Sequence, residues 1–125
     1  MTKKKRILVI DDEADFTKLI RLNLEQTGKF EVKTENRGSA ALAAAKAFKP
    51  DLVLLDILMP DLMGSEVAAQ MKEDDDTKNI PVIFLTAVVG REEVVQRGGV
   101  IGGHLFVAKP VDIKQLVEVI DENIR

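Results

Sequence analysis

Cysteine, tryptophan and tyrosine are absent from this chain of 125 residues, and histidine occurs once, at His104. Without cysteine there are no disulfides and no thiol chemistry, and one histidine leaves a zinc or haem site short of donors. The expected setting is cytoplasmic. Charge of one sign is also lacking: 18 Lys and Arg stand against 21 Asp and Glu, a net charge of −3. No global field therefore favours DNA, RNA or an anionic membrane, and no direct nucleic-acid or membrane contact is expected. Long apolar runs are missing as well, since none approaches the ~18 residues of a membrane span. The basic start Lys3-Lys4-Lys5-Arg6 is followed only by Ile7 to Ile10 before Asp11, Asp12 and Glu13, which argues against a secretory signal. What remains is one domain, residues 1–125, long enough to bury about two thirds of its unfolded surface without covalent staples.

The stretch Leu52-Val53-Leu54-Leu55-Asp56-Ile57-Leu58-Met59-Pro60 organises the rest. Its apolar run reads as a strand buried on both faces, and such strands belong mainly to parallel sheets covered by helices. Asp56 then stands at the carboxyl end of the strand, where ligands collect in open α/β sheets. A carboxylate there is a nucleophile, a metal ligand or a helix cap.

In order, the chain alternates short strands with helical patterns. Ile7 to Ile10 is a fully apolar strand. A first helix follows, with Asp12 at a capping position, Asp15 three residues on, and Phe16, Leu19, Ile20 and Leu24 on one face until Gly28. Phe30 to Thr34 alternates apolar and polar residues, the pattern of a half-exposed edge strand. Ala-rich Ser39 to Phe48 is a second helix, stopped by Pro50. After the Asp56 strand, Ser65 to about Glu73 is a third helix with Val67, Ala68 and Met71 inward. Asp74-Asp75-Asp76 reads as a solvated turn, and Met59 and Met71 as packing. Pro81 opens a fourth strand, Val82 to Leu85, with Thr86 at its end. A weaker fourth helix spans Arg91 to about Ile101, because Gly98 and Gly99 each cost about 1 kcal/mol relative to Ala. His104 reads as a solvated residue before a fifth strand, Leu105 to Ala108, ended by Lys109-Pro110. Asp112 and Gln115 open a fifth helix with Ile113, Leu116, Val117 and Ile120 at helical spacing. Five strands and five helices in strict alternation predict an α/β fold, a doubly wound parallel sheet with right-handed crossovers.

The polar residues now gather at strand ends: Asp11 and Asp12 after the first, Asp56, Thr86, and Lys109. If the first and third strands are neighbours, three carboxylates meet in one crevice. At about 4 Å and an effective dielectric near 20, each like-charge pair costs roughly 4 kcal/mol, which calls for a cation or a raised pKa. Hard oxygen donors suit Mg²⁺, which keeps several waters and takes one or two carboxylates plus a phosphoryl oxygen. With Lys109 as a fixed positive charge and Thr86 as a hydroxyl donor, the set is suited to binding a phosphoryl group.

Four stretches carry a resemblance: Ile7-Leu8-Val9-Ile10-Asp11-Asp12-Glu13, Leu55-Asp56-Ile57-Leu58-Met59-Pro60 with Gly64, Leu85-Thr86-Ala87, and Phe106-Val107-Ala108-Lys109-Pro110. In this order and spacing they resemble the CheY-like receiver domain of bacterial two-component response regulators. The resemblance, not the periodicity, implies the flavodoxin-like strand order 2-1-3-4-5. It implies that Asp56 is the phosphoacceptor, attacking a phosphohistidine on a sensor histidine kinase or histidine phosphotransfer protein to become an aspartyl phosphate. Asp11, Asp12, Asp56 and the main-chain carbonyl of Leu58 would hold Mg²⁺. Lys109 would pair with a phosphoryl oxygen, and the bond before Pro110 would be cis. Thr86 would move to the phosphoryl group, with Phe106 as the aromatic switch that rotates inward after it. The implied function is two-component signal transduction, either as a regulator or as a phosphorelay intermediate. The domain would be a regulatory one that promotes its own phosphorylation and dephosphorylation, not an enzyme in the usual sense. The implied output face comprises the fourth helix, fifth strand and fifth helix, and would contact a downstream effector or form a phosphorylation-dependent dimer. No DNA-binding or catalytic domain follows the fifth helix in this chain, which leaves a stand-alone receiver and the first domain of a longer regulator both open.

Plainer readings exist for single residues: Asp12 as a helix cap, and Phe106 as a packing residue. A flavin carrier of the same topology is disfavoured, because Asp11-Asp12-Glu13 stands where a phosphate-cradling Ser/Thr/Gly loop is needed. A phosphatase acting through an aspartyl phosphate typically has a second Asp two residues after the nucleophile, and here that residue is Leu58. The glycines at 98, 99, 102 and 103 depart from the family pattern, and predict a fourth helix that is loose until phosphorylation or partner binding orders it. In this family the side chains two residues beyond the acceptor and the threonine flank the path of hydrolytic water. Here both, Leu58 and Val88, are apolar, which predicts slow loss of phosphate. Leu58→Asn combined with Val88→Glu should shorten the lifetime of the phosphorylated protein, and an unchanged decay rate would overturn this expectation.

Overall fold

The strands Lys5–Ile10 (β1) and Leu52–Asp56 (β3) lie side by side within the sheet, with Ile7 to Ile10 and Leu52 to Leu55 fully buried. A computed structural model of the protein describes residues 3–87, 100–101 and 104–124. β1 and β3 run parallel, with Ile7 opposite Leu52 and Ile10 opposite Leu55. Phe30–Glu35 (β2) flanks β1 as an edge strand, burying Phe30 and Val32 and exposing Glu31 and Lys33. Val82–Thr86 (β4) pairs with β3, and His104–Ala108 with β4. These five strands are parallel, in the expected order.

A sixth, two-residue strand was not expected. Val100–Ile101 (β5) pairs antiparallel with His104–Ala108 (β6), Val100 opposite Leu105 and Ile101 opposite His104, at the far edge of the sheet. The expected fourth helix therefore does not extend to Ile101. Two β-branched residues favour a strand, and the Gly-Gly pair that follows them in sequence is a composition two-residue hairpin connections favour. The rest of that expected helix, and its looseness, lie outside the described residues.

Alternation along the strands separates two cores. Ile7, Val9, Leu52, Leu54, Ile83 and Leu85 pack with Ile20 and Leu24 of Ala14–Gln26 (α1) and with Leu116 and Ile120 of the C-terminal helix Ile113–Asn123 (α4). The opposite faces of the same strands, Leu8, Ile10, Val53, Leu55 and Phe84, pack against Ala41, Ala44 and Ala45 of Ala41–Phe48 (α2) and Val67 and Met71 of Gly64–Glu73 (α3). Each fully buried Leu or Ile contributes about 1.5–3 kcal/mol. Small alanines on α2 bring that helix close to the sheet. α4 begins as expected, the Asp112 side chain accepting the Gln115 N–H at 3.3 Å.

Two helix starts differ from expectation. Asp12 does not cap α1: Glu13 is the cap residue, no side chain caps the first turn, and the Glu13 N–H is accepted by Asp11 Oδ1 at 2.9 Å just ahead of the helix. The second helix begins as a short 3₁₀ turn, Gly38–Ala40, before α2. α2 ends at Phe48 because Lys49 is left-handed, φ 54°, and Pro50 after it disfavours helical backbone.

α3 starts directly against the end of β3. Gly64 donates its N–H to the Ile57 carbonyl at 2.8 Å, and a Cβ at Gly64 would stand 2.2 Å from the Asp56 carbonyl oxygen. That neighbour is main chain and cannot swing away, so only glycine permits the approach. Gly64→Ala should destabilise the fold by about 1–3 kcal/mol in urea unfolding, the usual cost of overpacking. An unchanged midpoint would show that the helix does not need this proximity.

Candidate functional site

Parallel neighbours end at the same rim of the sheet, so each strand delivers its last polar residue to one place. Asp11 follows β1, its N–H bonded to the Glu35 carbonyl at 3.1 Å, and is fully buried. Asp56 closes β3 opposite Leu85, and buried Thr86 closes β4 opposite Ala108. Lys109 follows β6 and donates its N–H to the Thr86 carbonyl at 2.8 Å. The Lys109-Pro110 bond is cis, as the resemblance implied.

The side chains converge. One carboxylate oxygen from each of Asp11, Asp12 and Asp56 lies within 4.8 Å of the others, the one such acidic or histidine cluster among the described residues. At that separation and an effective dielectric near 20, each pair repels by about 3–4 kcal/mol. One ammonium opposes them: Lys109 Nζ lies 2.6 Å from Asp11 Oδ2 and 3.6 Å from both Asp56 Oδ1 and Glu13 Oε1. Its fourth neighbour is uncharged, the Phe16 ring, whose centroid is 4.4 Å away.

Burial and crowding set the protonation equilibria. Asp56 is pushed up to about 6, first by burial and then by the charge of Asp11, with Lys109 pulling the other way. Asp11 is raised too: burial outweighs the hydrogen bonds from Lys109 and the Glu13 N–H. Burial alone would lower Lys109, but its hydrogen bond to Asp11 and the charges of Asp11, Asp56 and Glu13 together raise it. Both acids rise mainly because burial disfavours their charged forms, and the contacting lysine does not offset it. Hard oxygen donors with excess negative charge match the donor chemistry of Mg²⁺.

Leu58 lies two residues beyond Asp56 in the loop to α3, with its side chain about half exposed. The half-buried Phe106 ring stacks on Phe84, centroids 5.4 Å apart and planes at 28°. Phe106, Phe84 and Ile57 line a cavity of about 850 Å³ that none of the acids borders. His104 opens β6. Met59 and Met71 are core residues. The Asp74 turn is more ordered than a solvated loop: Asp74 accepts the Asp76 N–H at 2.9 Å and Lys46 Nζ of α2 at 3.1 Å.

Three contributors to the site were not read from the sequence. Glu13 reaches Lys109 although it looked like the end of an acidic run. Phe16 was read only as a core position of the first helix. Asn36 carried no signal at all, yet its Nδ2 donates to the Asp11 carbonyl at 2.8 Å and to Thr17 Oγ1 at 3.0 Å, tying the acidic loop to the end of β2.

Comparison with known proteins gives a consistent result. A family model described as the response regulator receiver domain matches residues 7–121. The polar-differentiation response regulator DivK of Brucella anthropi is 35% identical over 118 residues, covering 93% of each chain. The N-terminal domain of a response regulator receiver protein from Methanoculleus marisnigri superposes with a TM-score of 0.69 at 35% identity, covering 94% of each. Chemotaxis protein CheY4 of Vibrio cholerae shares the fold at a TM-score of 0.82 and 24% identity, over 98% of this chain and 100% of that one.

The raised Asp56 predicts a pH-dependent penalty on the metal-free fold. Below pH about 4 Asp56 is protonated in both the folded and unfolded states and costs nothing; the penalty grows as pH rises and is complete above about 6. In chelator, Asp56→Asn should therefore be more stable than the parent by on the order of 2 kcal/mol at pH 7.5, with the gain vanishing toward pH 4. Thermal unfolding of the two proteins across that range checks it, and a gain independent of pH would refute it.

Proposed function

This chain belongs to the response regulator receiver family, and from that premise we propose that residues 1–125 form one receiver domain whose phosphoacceptor is Asp56. The observation that carries the reading is the convergence of Asp11, Asp12 and Asp56 within 4.8 Å, with Lys109 Nζ 3.6 Å from the Asp56 carboxylate. A carboxylate oxygen of Asp56 attacks the phosphorus of a phosphohistidine on a sensor histidine kinase or histidine phosphotransfer protein. The P–N bond breaks, the imidazole leaves, and Asp56 becomes an acyl phosphate. The ionised carboxylate is the attacking form; burial and the charge of Asp11 oppose its ionisation, and a cation at the site would favour it. Asp11, Asp12 and Asp56, with the main-chain carbonyl of Leu58, would hold Mg²⁺, which supplies charge neutralisation for the transferring group.

Lys109 leaves its place between Asp11 and Asp56 only slightly to pair with a phosphoryl oxygen. The Thr86 hydroxyl, one strand away, turns to hydrogen-bond the phosphoryl group, and Phe106 follows it inward. The stack of Phe106 on Phe84, which couples β6 to β4 on the strand that ends in Thr86, supports this part of the reading. Phosphorylation would thus act on β4 and β6, which with α4 would meet an effector or a second copy.

With Mg²⁺ and acetyl phosphate the protein should gain one phosphoryl group by intact mass, mapped to Asp56, and Asp56→Asn should gain none. Failure of the parent protein to gain mass, or labelling at another residue, would overturn the assignment.

A further inference from the structure

The Phe16 ring has no place in the chemistry just described, yet it forms one wall around the ammonium that chemistry depends on. Phe16 lies in the first turn of α1, half-buried, with one side packed on the core beneath the sheet and Lys109 Nζ 4.4 Å from its ring centroid. The Lys109 side chain is only 13% exposed, so the contact is largely shielded from water, where a cation over an aromatic face is worth most.

We propose that Phe16 is a positioning residue for Lys109, its ring face holding the ammonium at the phosphoacceptor throughout the reaction. This rests on the reading of Asp56 above. A lysine carries its charge on a flexible stem with rotatable donors and does not hold a position by itself. Of its four neighbours, Asp11 and Asp56 are the groups that must turn to other partners during phosphoryl transfer. Glu13 is mostly exposed and screened by solvent. Phe16 alone neither ionises, nor coordinates a cation, nor accepts the phosphoryl group, so its attraction for Lys109 is the same before and after transfer. Anchored by core packing on its other side, the ring sets how far the ammonium can withdraw from Asp56.

The test uses Phe16→Leu, which keeps apolar bulk but has no ring face, and Phe16→Tyr, which restores one. Acetyl phosphate is the donor, so no partner surface is involved. In the parent protein the ε-methylene NMR signals of Lys109 should be shifted upfield by the ring. In Phe16→Leu the shift should vanish while the β1 and β3 amide signals stay in place. The phosphorylation rate should fall about three- to thirtyfold in Phe16→Leu and recover in Phe16→Tyr. Unshifted Lys109 methylenes in the parent, a full rate in Phe16→Leu, or equal losses in both variants would overturn the proposal. A parent protein that takes up no phosphoryl group would instead sink the reading of Asp56, whereas normal labelling of Phe16→Leu would sink only the role of Phe16.

Discussion

The structure turns on an electrostatic imbalance that the fold itself imposes. Asp11 and Asp56 are held on adjacent parallel strands, out of water, with Asp12 beside them and one lysine to oppose all three. In bulk solvent these acids would separate and ionise independently. At the rim of the sheet they cannot separate, because their main chains are locked in register by the pairing of Ile10 with Leu55. Burial and mutual repulsion therefore raise Asp56 and Asp11 together, and the pocket retains a standing demand for positive charge.

Much of the remaining architecture keeps the acids where they are. Gly64 lets α3 start against the Asp56 carbonyl, so the loop leaving β3 has little room to drift. Asp61 in that loop accepts the N–H groups of Gly38 and Ser39, and these bonds, those to Ser39 foremost, hold its carboxyl down at about 2. The loop after β3 is thereby tied to the start of the second helix. Asn36 does the same for the loop after β1, through the Asp11 carbonyl. Two acidic loops that repel each other are each fastened to a neighbour by hydrogen bonds the acids do not share.

The two faces of β4 and β6 are built differently. Phe84 and Phe106 stack across β4 and β6 on the side of the sheet that carries α2 and α3, while Leu85 and Val107, their neighbours along the same strands, face the core beneath α1 and α4.

Apolar runs at Ile7 to Ile10 and Leu52 to Leu55, and the helical spacing between them, were enough to establish an α/β fold with a parallel sheet. Hydrophobic periodicity is local, and burial on both faces leaves it no ambiguity. The placement of Asp11, Asp12, Asp56, Thr86 and Lys109 at one rim of the sheet was legible for the same reason: each sits at the end of an apolar run, and parallel strands must bring such ends together. The strand order came with the family resemblance, since periodicity does not say which strands are neighbours. The short β5 escaped notice because two residues are too few to show a period. The hydrogen bond of the Glu13 N–H to Asp11 rather than to Asp12, the tie from Asn36 and the seat of Lys109 on Phe16 were decided only in three dimensions. Each joins residues from different strands and helices, or chooses between adjacent carboxylates, and such choices follow from where the backbone goes once the sheet has closed, about which composition and spacing are silent.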